Sequence, residues 1–414
     1  MKPRILIVGP TPPPYIGPSV ATKLILESEL KNDYQIVHLE TADRRSTTNI
    51  GIFDLRNIFL AFIHIFKLSA ILITSSPHIV YIPICQTIVG YLRDTIFIIL
   101  AKIFGARVII HLRGGYFRKL YDTSNIFAQC IIKNSLKLVS KVIVLGESLR
   151  YIFDRLVPNQ NIVVVPNGID SNYITEEEFE KAQEVRMAKV RNDSMINKVT
   201  LSTKHYALSS RMRILFLSNL MKSKGFFDVI KAMSEVLQYT GDSELIVAGE
   251  FREQEKMKND VMSYMDKSKL DSHVKFIGTV VGAQKRNLLL STDIFVLPTY
   301  YRYEGQPWVI VEAMAAGLPI ITTDHGCIKE MVIHGENGFL IEKQNPQQIS
   351  EKIIALLKDD DLRNRMGTKS RERFLKHYTK DIFIRGLNSV FEDIYVHKLS
   401  AWVRGAHETD NSEL

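Results

Sequence analysis

The stretch that decides the fold of this chain lies in its C-terminal half, where residues 294–322 read IFVLPTYYRYEGQPWVIVEAMAAGLPIIT. Its first four residues form an unbroken apolar run, which is typical of a strand covered on both faces. After Pro307 the pattern predicts a helix, because proline suits a first helical position and Gly317-Leu318-Pro319 ends the helix. A second strand follows at Pro319–Thr322. Strand, helix and strand in this order predict a parallel sheet with helices on both faces.

The same alternation extends along most of the chain and forms two series of strands. The predicted strands are Arg4–Val8, Gln35–Leu39, Ile79–Ile82, Arg107–Leu112, Lys141–Leu145 and Asn161–Val165, then Arg213–Leu217, Glu244–Ala248, Val274–Ile277, Ile294–Leu297, Pro319–Thr322 and Gly338–Ile341. The polar segment 171–210 separates the series. We therefore expect an α/β protein of two doubly wound, Rossmann-like domains that face each other across a cleft.

The expected domain boundaries follow from these patterns. Residues 1–170 form the first domain, and 171–210 form a linker with one helix around Glu176–Val190 and then a mobile loop. Residues 211–380 form the second domain. A C-terminal helix over 381–400 is expected to pack back on the first domain, and 401–414 to be a flexible tail.

Composition and charge limit the compartment and the partners. The chain has 414 residues and a formal charge of +8, and residues 1–170 hold 19 Lys/Arg against 11 Asp/Glu, so that the whole excess lies there. An excess of positive charge in residues 1–170 favours an anionic partner for this part of the chain, either nucleic acid or acidic lipid. The three widely spaced cysteines, Cys85, Cys130 and Cys327, form neither a disulfide framework nor a zinc site, which favours a reducing, cytoplasmic compartment.

Two long apolar stretches, Ile58–Ile73 and Ile79–Ile110, leave three interpretations open. Lys67 interrupts the first stretch, and Pro83, Arg93, Asp94 and Lys102 interrupt the second. In the first interpretation the two stretches are buried elements of an α/β core. In the second they form a peripheral membrane contact, an apolar face with a basic rim, and in the third a transmembrane helix. The first interpretation is preferred.

Two carboxylates mark the strongest candidate site. Glu304 lies in the loop before the predicted helix, and Glu312 lies more than one turn inside it. The amides of Gly305, Gln306 and the first turn are donors at the positive end of the helix dipole. This arrangement suits a polyhydroxyl or anionic ligand, although a surface helix can begin in the same way by chance.

A second candidate follows the strand Arg213–Leu217. The loop Ser218–Gly225 carries Lys222 and Lys224 near a helix start, which makes an anion site. The plain alternative is a solvated loop lysine.

With these residues in place, the segment from Tyr303 to Pro319, followed by Ile320–Gly326 and Asn337–Ile341, resembles the donor-site signature of glycosyltransferase family 4. The resemblance extends more loosely over most of the chain. It implies a retaining enzyme of the GT-B fold, in which the first domain binds the acceptor and the second binds a nucleotide-sugar. It also implies transfer without an enzyme nucleophile, the leaving phosphate accepting the proton of the acceptor hydroxyl.

The resemblance implies a role for each matching position in the second domain. Glu304 holds the donor sugar, with backbone amides of Gly305, Gln306 and Pro307 facing it, and Glu312 holds the ribose. Lys224 neutralises the diphosphate. Asn219 stands where the family has arginine, which leaves Lys222 or Arg302 as substitutes for that charge. Glu250, at a strand end on the same side, and Val280, near the nucleotide base, complete the predicted donor site.

The resemblance also selects two residues in the first domain. The Pro10–Ser19 loop, with Gly17, matches a glycine-rich loop that approaches the donor phosphate, and a plain turn is the alternative. His111 ends a strand before Arg113-Gly114-Gly115 and is expected to contact the transferred sugar; a structural histidine is the alternative.

No essential metal or other cofactor is expected. Asp359-Asp360-Asp361 contains an Asp-x-Asp, but it precedes a helix, where acidic residues cap the first turn. No other cluster has metal-ligand spacing.

The prediction is therefore a retaining, metal-independent hexosyltransferase for surface polysaccharide synthesis. Its partners are a nucleotide-sugar and a saccharide or lipid-linked saccharide acceptor, with no nucleic acid. We expect the protein to be cytoplasmic, and the acidic inner face of the membrane is a further candidate partner. A nucleotide-sugar epimerase and a non-catalytic sugar- or lipid-binding protein are the alternatives.

Overall fold

The structure is a computed structural model, which describes residues 2–43, 55–190, 211–240 and 242–410. The chain divides into two compact units, Met1–Asn167 with Lys380–Leu414, and Gly168–Thr379. Each unit is built on one parallel six-stranded sheet.

The sheet of the N-terminal unit has the strand order β2-β1-β3-β4-β5-β6. Its strands are β1 (Arg4–Gly9), β2 (Gln35–Glu40), β3 (Ile79–Ile84), β4 (Arg107–Leu112), β5 (Lys141–Val144) and β6 (Ile162–Val164). Its helices are α1 (Gly17–Leu26), α2 (Leu30–Asp33), α3 (Leu55–Ser75), α4 (Ile88–Ile103), α5 (Phe117–Thr123) and α6 (Ile126–Leu136), with 3₁₀ turns at Glu147–Phe153 and Asn159–Asn161. The inner strands are almost wholly apolar because helices cover both faces of the sheet.

The last helix of the chain, α15 (Lys380–Asp410), belongs to this N-terminal unit. Phe383, Leu387 and Phe391 are buried in one cluster with Ile5 and Tyr81 of the sheet. The sequence predicts that the helix ends at 400 and that a flexible tail begins at 401. In the structure the helix continues to Asp410, since no proline interrupts it, and residues 411–414 lie outside the described residues.

The sheet of the C-terminal unit has the strand order β12-β11-β10-β7-β8-β9. Its strands are β7 (Met212–Leu217), β8 (Ser243–Ala248), β9 (Val274–Gly278), β10 (Ile294–Leu297), β11 (Ile320–Thr323) and β12 (Gly338–Ile341). Its helices are α7 (Glu176–Val190), α8 (Phe226–Thr240), α9 (Glu255–Lys267), α10 (Gly282–Leu290), α11 (Trp308–Ala315), α12 (Ile328–Met331), α13 (Pro346–Lys358) and α14 (Asp360–His377), with 3₁₀ turns at Ser171–Tyr173 and Lys222–Lys224.

These two sheets confirm the predicted α/β class. Every predicted strand is present, and the ends differ by one or two residues. The strand order changes direction in each sheet, as it does in doubly wound folds, and loops at the carboxyl ends of strands are where such sheets bind ligands.

The segment that the sequence assigns to a linker is partly incorporated into the C-terminal unit. Phe179 and Ala182 of α7 are buried in the core of this unit. Arg186 of α7 is also buried, and its guanidinium donates to the carbonyls of Thr292 at 2.8 Å and Ala316 at 3.1 Å. Residues 171–190 are therefore an integral part of the unit, because buried carbonyls need these donors. The expected mobile loop after α7 lies in 191–210, outside the described residues.

Candidate functional site

Lys224 ends the 3₁₀ turn that follows β7, and the turn is held by close packing. Gly225 has a φ of 81°, a left-handed conformation that glycine adopts without strain. A Cβ atom at Gly225 would lie 2.6 Å from the carbonyl oxygen of Pro298. The amide of Tyr300 donates to the carbonyl of Ser223 at 2.8 Å. The loop after β7 is thus fixed to the loop after its neighbour β10.

Glu304 lies in the loop after β10 and forms an ion pair with Lys224 through its Oε2 atom. Thr299 donates to the same oxygen at 3.1 Å, and the Nζ atom of Lys224 lies 4.6 Å from the centre of the Tyr301 ring. Both charged side chains are nearly buried, at 12% and 10% exposure. The two residues that the sequence selects separately are therefore in direct contact at the carboxyl edge of the sheet.

The loop after β11 packs against the loop after β10 that carries Glu304. Gly326 has a φ of 59°, and a Cβ atom there would lie 2.5 Å from the carbonyl oxygen of Gly305. That carbonyl accepts a hydrogen bond from the amide of Cys327 at 2.8 Å. Only glycine permits this contact, and it fixes the backbone next to Glu304.

His325, in the same loop, is neutral. Its Nε2 atom lies 2.9 Å from the carbonyl oxygen of Tyr301, and its Nδ1 atom lies 3.2 Å from the Nζ atom of Lys343. Nε2 must therefore carry the proton, and Nδ1 accepts. Burial, with the charge of Lys343, lowers the pKa of His325 below its usual range, although the Tyr301 hydrogen bond opposes the shift. The sequence prediction selected neither His325 nor Thr299, and their positions at strand ends were the available signal.

Glu312, the fifth residue of α11, is almost completely buried and pairs with Lys285 of α10. The Nζ atom of Lys285 lies 2.5 Å from Oε1. The other oxygen, Oε2, has no hydrogen-bond partner among the described residues. Burial raises the pKa of Glu312, and Lys285 opposes that shift. The carboxylate is thus held by one cation and keeps one oxygen for a further donor.

Tyr173 adds a second unsatisfied group near Glu312. Its hydroxyl is buried and has no partner within the described part of the chain. Burial raises the pKa of Tyr173, and the charge of Glu312 adds to the effect. Buried polar groups are normally hydrogen-bonded, so an orphan hydroxyl and an orphan carboxylate oxygen together indicate a place for a polar ligand. No sequence motif marks Lys285 or Tyr173.

The remaining predicted donor residues take different positions. Asn219 is exposed directly after β7, and Glu250 follows β8 with its side chain paired to Arg252 at 2.6 Å. Gln306 is buried, and Pro307 precedes the first residue of α11. The side chain of Val280 is buried in the core, so only its backbone is available for a ligand.

Gly17 and His111 belong to the N-terminal unit. Gly17 is the first residue of α1. His111 is fully buried in β4, where its Nδ1 atom lies 2.8 Å from the hydroxyl of Tyr81. Arg113 donates to that hydroxyl at 2.9 Å and to Asn167 at 2.7 Å. Burial, with the charge of Arg113, holds the pKa of His111 well below its usual range.

These contacts fix the tautomer of His111. The Tyr81 hydroxyl is fully buried and accepts from Arg113, and its own proton also needs an acceptor. The Nδ1 atom of His111, 2.8 Å away, is that acceptor, which assigns the imidazole proton to Nε2. That Nε2 atom has no partner among the residues that the structure describes. His111 is therefore a neutral donor of one hydrogen bond and already has a structural contact.

The acidic run at the start of α14 caps the helix. Asp359 accepts from the amide of Leu362 at 2.8 Å, and Asp360 pairs with Arg363 at 2.6 Å. The capping interpretation is confirmed. Over residues 2–43, 55–190, 211–240 and 242–410, no group of three or more His, Cys, Asp or Glu side chains is arranged to hold a metal ion.

Comparison with known proteins concerns the segment that carries these residues. Residues 201–373 match the model of the family Glycosyl transferases group 1. This segment contains Lys224, Lys285, Glu304 and Glu312. The ion pairs of Lys224 with Glu304 and of Lys285 with Glu312 thus lie inside the matched segment.

Two curated relatives and one solved structure show the extent of the similarity. An uncharacterized glycosyltransferase of Methanocaldococcus jannaschii is 30% identical over 180 residues, which is 44% of this chain and 48% of the relative. The capsular polysaccharide biosynthesis glycosyltransferase CapM of Staphylococcus aureus is 25% identical over 252 residues, 60% of each chain. The chain thus matches about half the length of the first relative and more of the second.

The crystal structure of Anabaena HepE in complex with UDP has a TM-score of 0.68 and 17% identity. It covers 95% of this chain and 100% of HepE. At this identity the similarity concerns the fold, and it confirms the GT-B class.

Proposed function

We propose that this protein is a retaining glycosyltransferase that moves a hexose from a nucleotide-sugar to a saccharide or lipid-linked saccharide. The observation that carries the proposal is the contact between Lys224 and Glu304 inside the segment that matches the group 1 model. A fixed cation beside a fixed carboxylate suits a ligand with a diphosphate next to sugar hydroxyls.

Each residue of the site has a role in the proposed reaction. Glu304 accepts hydrogen bonds from the donor sugar, and the orphan oxygen of Glu312 accepts one from the ribose. Lys224 lies close enough to Glu304 to serve the adjoining diphosphate. A preorganised cation stabilises the negative charge that develops on the leaving group more than it stabilises the ground state.

The proposed transfer conserves configuration without an enzyme nucleophile. The bond from the anomeric carbon to the diphosphate oxygen breaks, and the bond to the acceptor oxygen forms on the same face. The proton of the acceptor hydroxyl passes to the departing phosphate. No metal ion is assigned to a step, since Lys224 and backbone amides supply the positive charge.

The comparisons suggest where to look for substrates. HepE was solved with UDP, which makes UDP-linked hexoses the first donors to examine. CapM acts in capsular polysaccharide biosynthesis, which favours a polysaccharide precursor as the acceptor. We place the reaction in the cytoplasm, where nucleotide-sugars are made.

The test is a panel of UDP-, GDP- and ADP-hexoses incubated with the full-length protein, with and without saccharide acceptors, and read by mass spectrometry. The proposal expects acceptor-dependent nucleotide release, and an NMR spectrum of the product with the donor's anomeric configuration. Epimerised sugar without acceptor would instead identify an epimerase.

Two substitutions test the site itself. Lys224→Met and Glu304→Gln are each expected to lower turnover at least about a hundredfold, the scale of one lost preorganised polar contact. Lys231→Met is the matched control, because Lys231 lies in α8 of the same unit and contacts the ring of Phe227 instead. Near-normal turnover of both site variants would refute the assignment of the site.

A further inference from the structure

The long helix α3 has two opposite faces, and both are apolar. His64, Leu68 and Leu72 recur every four residues and are buried. On the other side Phe59, Phe62, Phe66 and Ile73 are exposed, Phe66 by 82%. The segment Ile58–Ser75 of α3 has a mean hydropathy of 2.0, and only 17% of it is buried. By length and composition alone, α3 could therefore cross a membrane. A helix of a soluble protein normally shows a polar outer face.

The neighbouring helices continue this exposed apolar surface. α3, α4 and α6 are the crossovers between consecutive parallel strands β2 to β5, and right-handed crossovers place them on one side of the sheet. α4 packs between the other two. The surface, called here the apolar face, consists of Phe59, Phe62, Phe66, Ile73, Val89, Leu92, Ile96, Ile99, Ile103, Ile126 and Phe127, all exposed.

Spacing shows that α4 presents a regular stripe. Its exposed residues follow at intervals of three and four, which is one side of a helix. Soluble monomers rarely expose contiguous apolar patches beyond a few hundred Å². A surface of this extent requires a partner that covers apolar groups.

The three helices that form the apolar face carry mostly basic charges. α3, α4 and α6 carry the basic residues Arg56, Lys67, Arg93, Lys102 and Lys133. Their only acidic residue is Asp94, which is buried and paired with Arg93 at 2.7 Å. At the end of α4, the basic residues Lys102, Arg107, Lys137 and Lys141 line one cavity with a single carboxylate, Asp393, which pairs with Lys141 at 3.0 Å. The rim is therefore basic, and these three helices present no exposed carboxylate.

We infer that the apolar face docks on the surface of an anionic lipid bilayer. The aromatic and aliphatic side chains enter the boundary between headgroups and acyl chains, and the basic rim contacts the lipid phosphates. The inference goes beyond sugar transfer and does not depend on it.

Two other occupants fit the same surface less well. A symmetric contact with a second copy would place the basic rims near each other, and α3, α4 and α6 present no exposed carboxylate to pair with them. An α3 that spanned the bilayer would have to leave the N-terminal unit, because its side with His64, Leu68 and Leu72 is buried in that unit. The connection is also short, since β3 begins three residues after α3 and belongs to the same sheet as β2. α3 therefore lies along the bilayer surface.

Co-sedimentation of the full-length protein with vesicles tests the inference. We expect the protein to bind phosphatidylcholine vesicles that contain 30 mol% phosphatidylglycerol, roughly the anionic share of a natural surface. Binding should be weaker to vesicles of phosphatidylcholine alone. It should also be weaker in 0.5 M NaCl, where the Debye length is about 4 Å. Phe62→Asp/Phe66→Asp is expected to lower the partition coefficient at least about thirtyfold. The control is Leu375→Asp, an exposed apolar position on α14, with no change expected.

A second measurement avoids charged substitutions that could disturb folding. Phe66→Trp should be quenched by vesicles of brominated lipid, whereas Leu375→Trp should be quenched no more than the wild type. Absence of quenching at residue 66, or equal binding of the Asp double variant, overturns the inference. A dimer in buffer that the double variant converts to monomer would assign the face to a second copy, and resistance to carbonate extraction would indicate a spanning helix.

Discussion

Replacing Lys285 by methionine tests whether Glu312 is a buried charge held by a single cation. The pair is close, at 2.5 Å, and the side chains of Lys285 and Glu312 are 24% and 9% exposed. Breaking a fully buried pair from one side costs about 3–5 kcal/mol, because the remaining charge is uncompensated. As Lys285 is partly solvated, we expect Lys285→Met to lower the free energy of unfolding by about 2–3 kcal/mol at pH 8.

The pH dependence has a definite sign. Burial raises the pKa of Glu312 in the folded protein above the unfolded value of 4.5, with Lys285 opposing the shift. The folded state then binds the proton more tightly, so this group's contribution to stability falls as pH rises above 4.5. Without Lys285 the pKa of Glu312 rises further, and the loss of stability continues to a higher pH. The cost of Lys285→Met should therefore be small near pH 5 and large at pH 8.

The assay is urea unfolding followed by tryptophan fluorescence. The chain has two tryptophans, and Trp308 opens α11, the helix of Glu312. A Trp402→Phe background makes Trp308 the only reporter. Both the midpoint and the slope are needed, because only a shift at constant slope reports stability alone.

The matched control is Lys275→Met, which removes a lysine from another lysine–glutamate pair of the same unit. Lys275 is 54% exposed, and Glu244 keeps Arg213 at 2.8 Å, so the expected loss is below about 1 kcal/mol. In the Glu312→Gln background, Lys285→Met should lose its pH dependence. An equal cost of Lys285→Met at pH 5 and pH 8 would refute the reasoning.

Two further predictions concern the frame of the site. Gly326→Ala places a Cβ against the carbonyl of Gly305, and it should lower the free energy of unfolding by about 1–3 kcal/mol and also lower transferase turnover. Gly335→Ala is the control, because Gly335 also has a positive φ but has open space around it. It should lower the free energy of unfolding by about 1 kcal/mol and leave turnover unchanged. Both are checked by urea unfolding and the transfer assay. Arg186→Leu removes donors from several buried carbonyls and should cost about 3 kcal/mol or more, against less than about 0.5 for the exposed Arg365→Leu. Equal unfolding midpoints within either pair would contradict the role given to the buried contact.

The sequence predicted the fold well because its signals are local. A strand such as β10 is recognised from four consecutive apolar residues, and α11 from the proline and glycine at its ends. Both depend on backbone preferences and on the burial of neighbouring side chains, which act over a few residues. The prediction ended α15 at 400 because the residues after Trp402 are polar, whereas the helix continues to Asp410.

The site was predicted only in part, and the division has a physical cause. Lys224 and Glu304 follow strand ends, so the topology of a parallel sheet places them on the same edge. Lys285 of α10 pairs with Glu312, and Tyr173 lies in a turn near enough to feel its charge, but no motif marks either residue. The orphan oxygen of Glu312 and the orphan hydroxyl of Tyr173 exist only once the core has closed around them.

The sequence by itself determined the two parallel sheets, the loops that carry the candidate residues and the excess of positive charge in residues 1–170. Only the tertiary structure decided which apolar stretches are covered. Along α3 apolar residues lie on every side, so periodicity does not separate the side of Leu68 from the side of Phe66. Burial is a property of what packs against a helix, and that depends on segments far away in the chain.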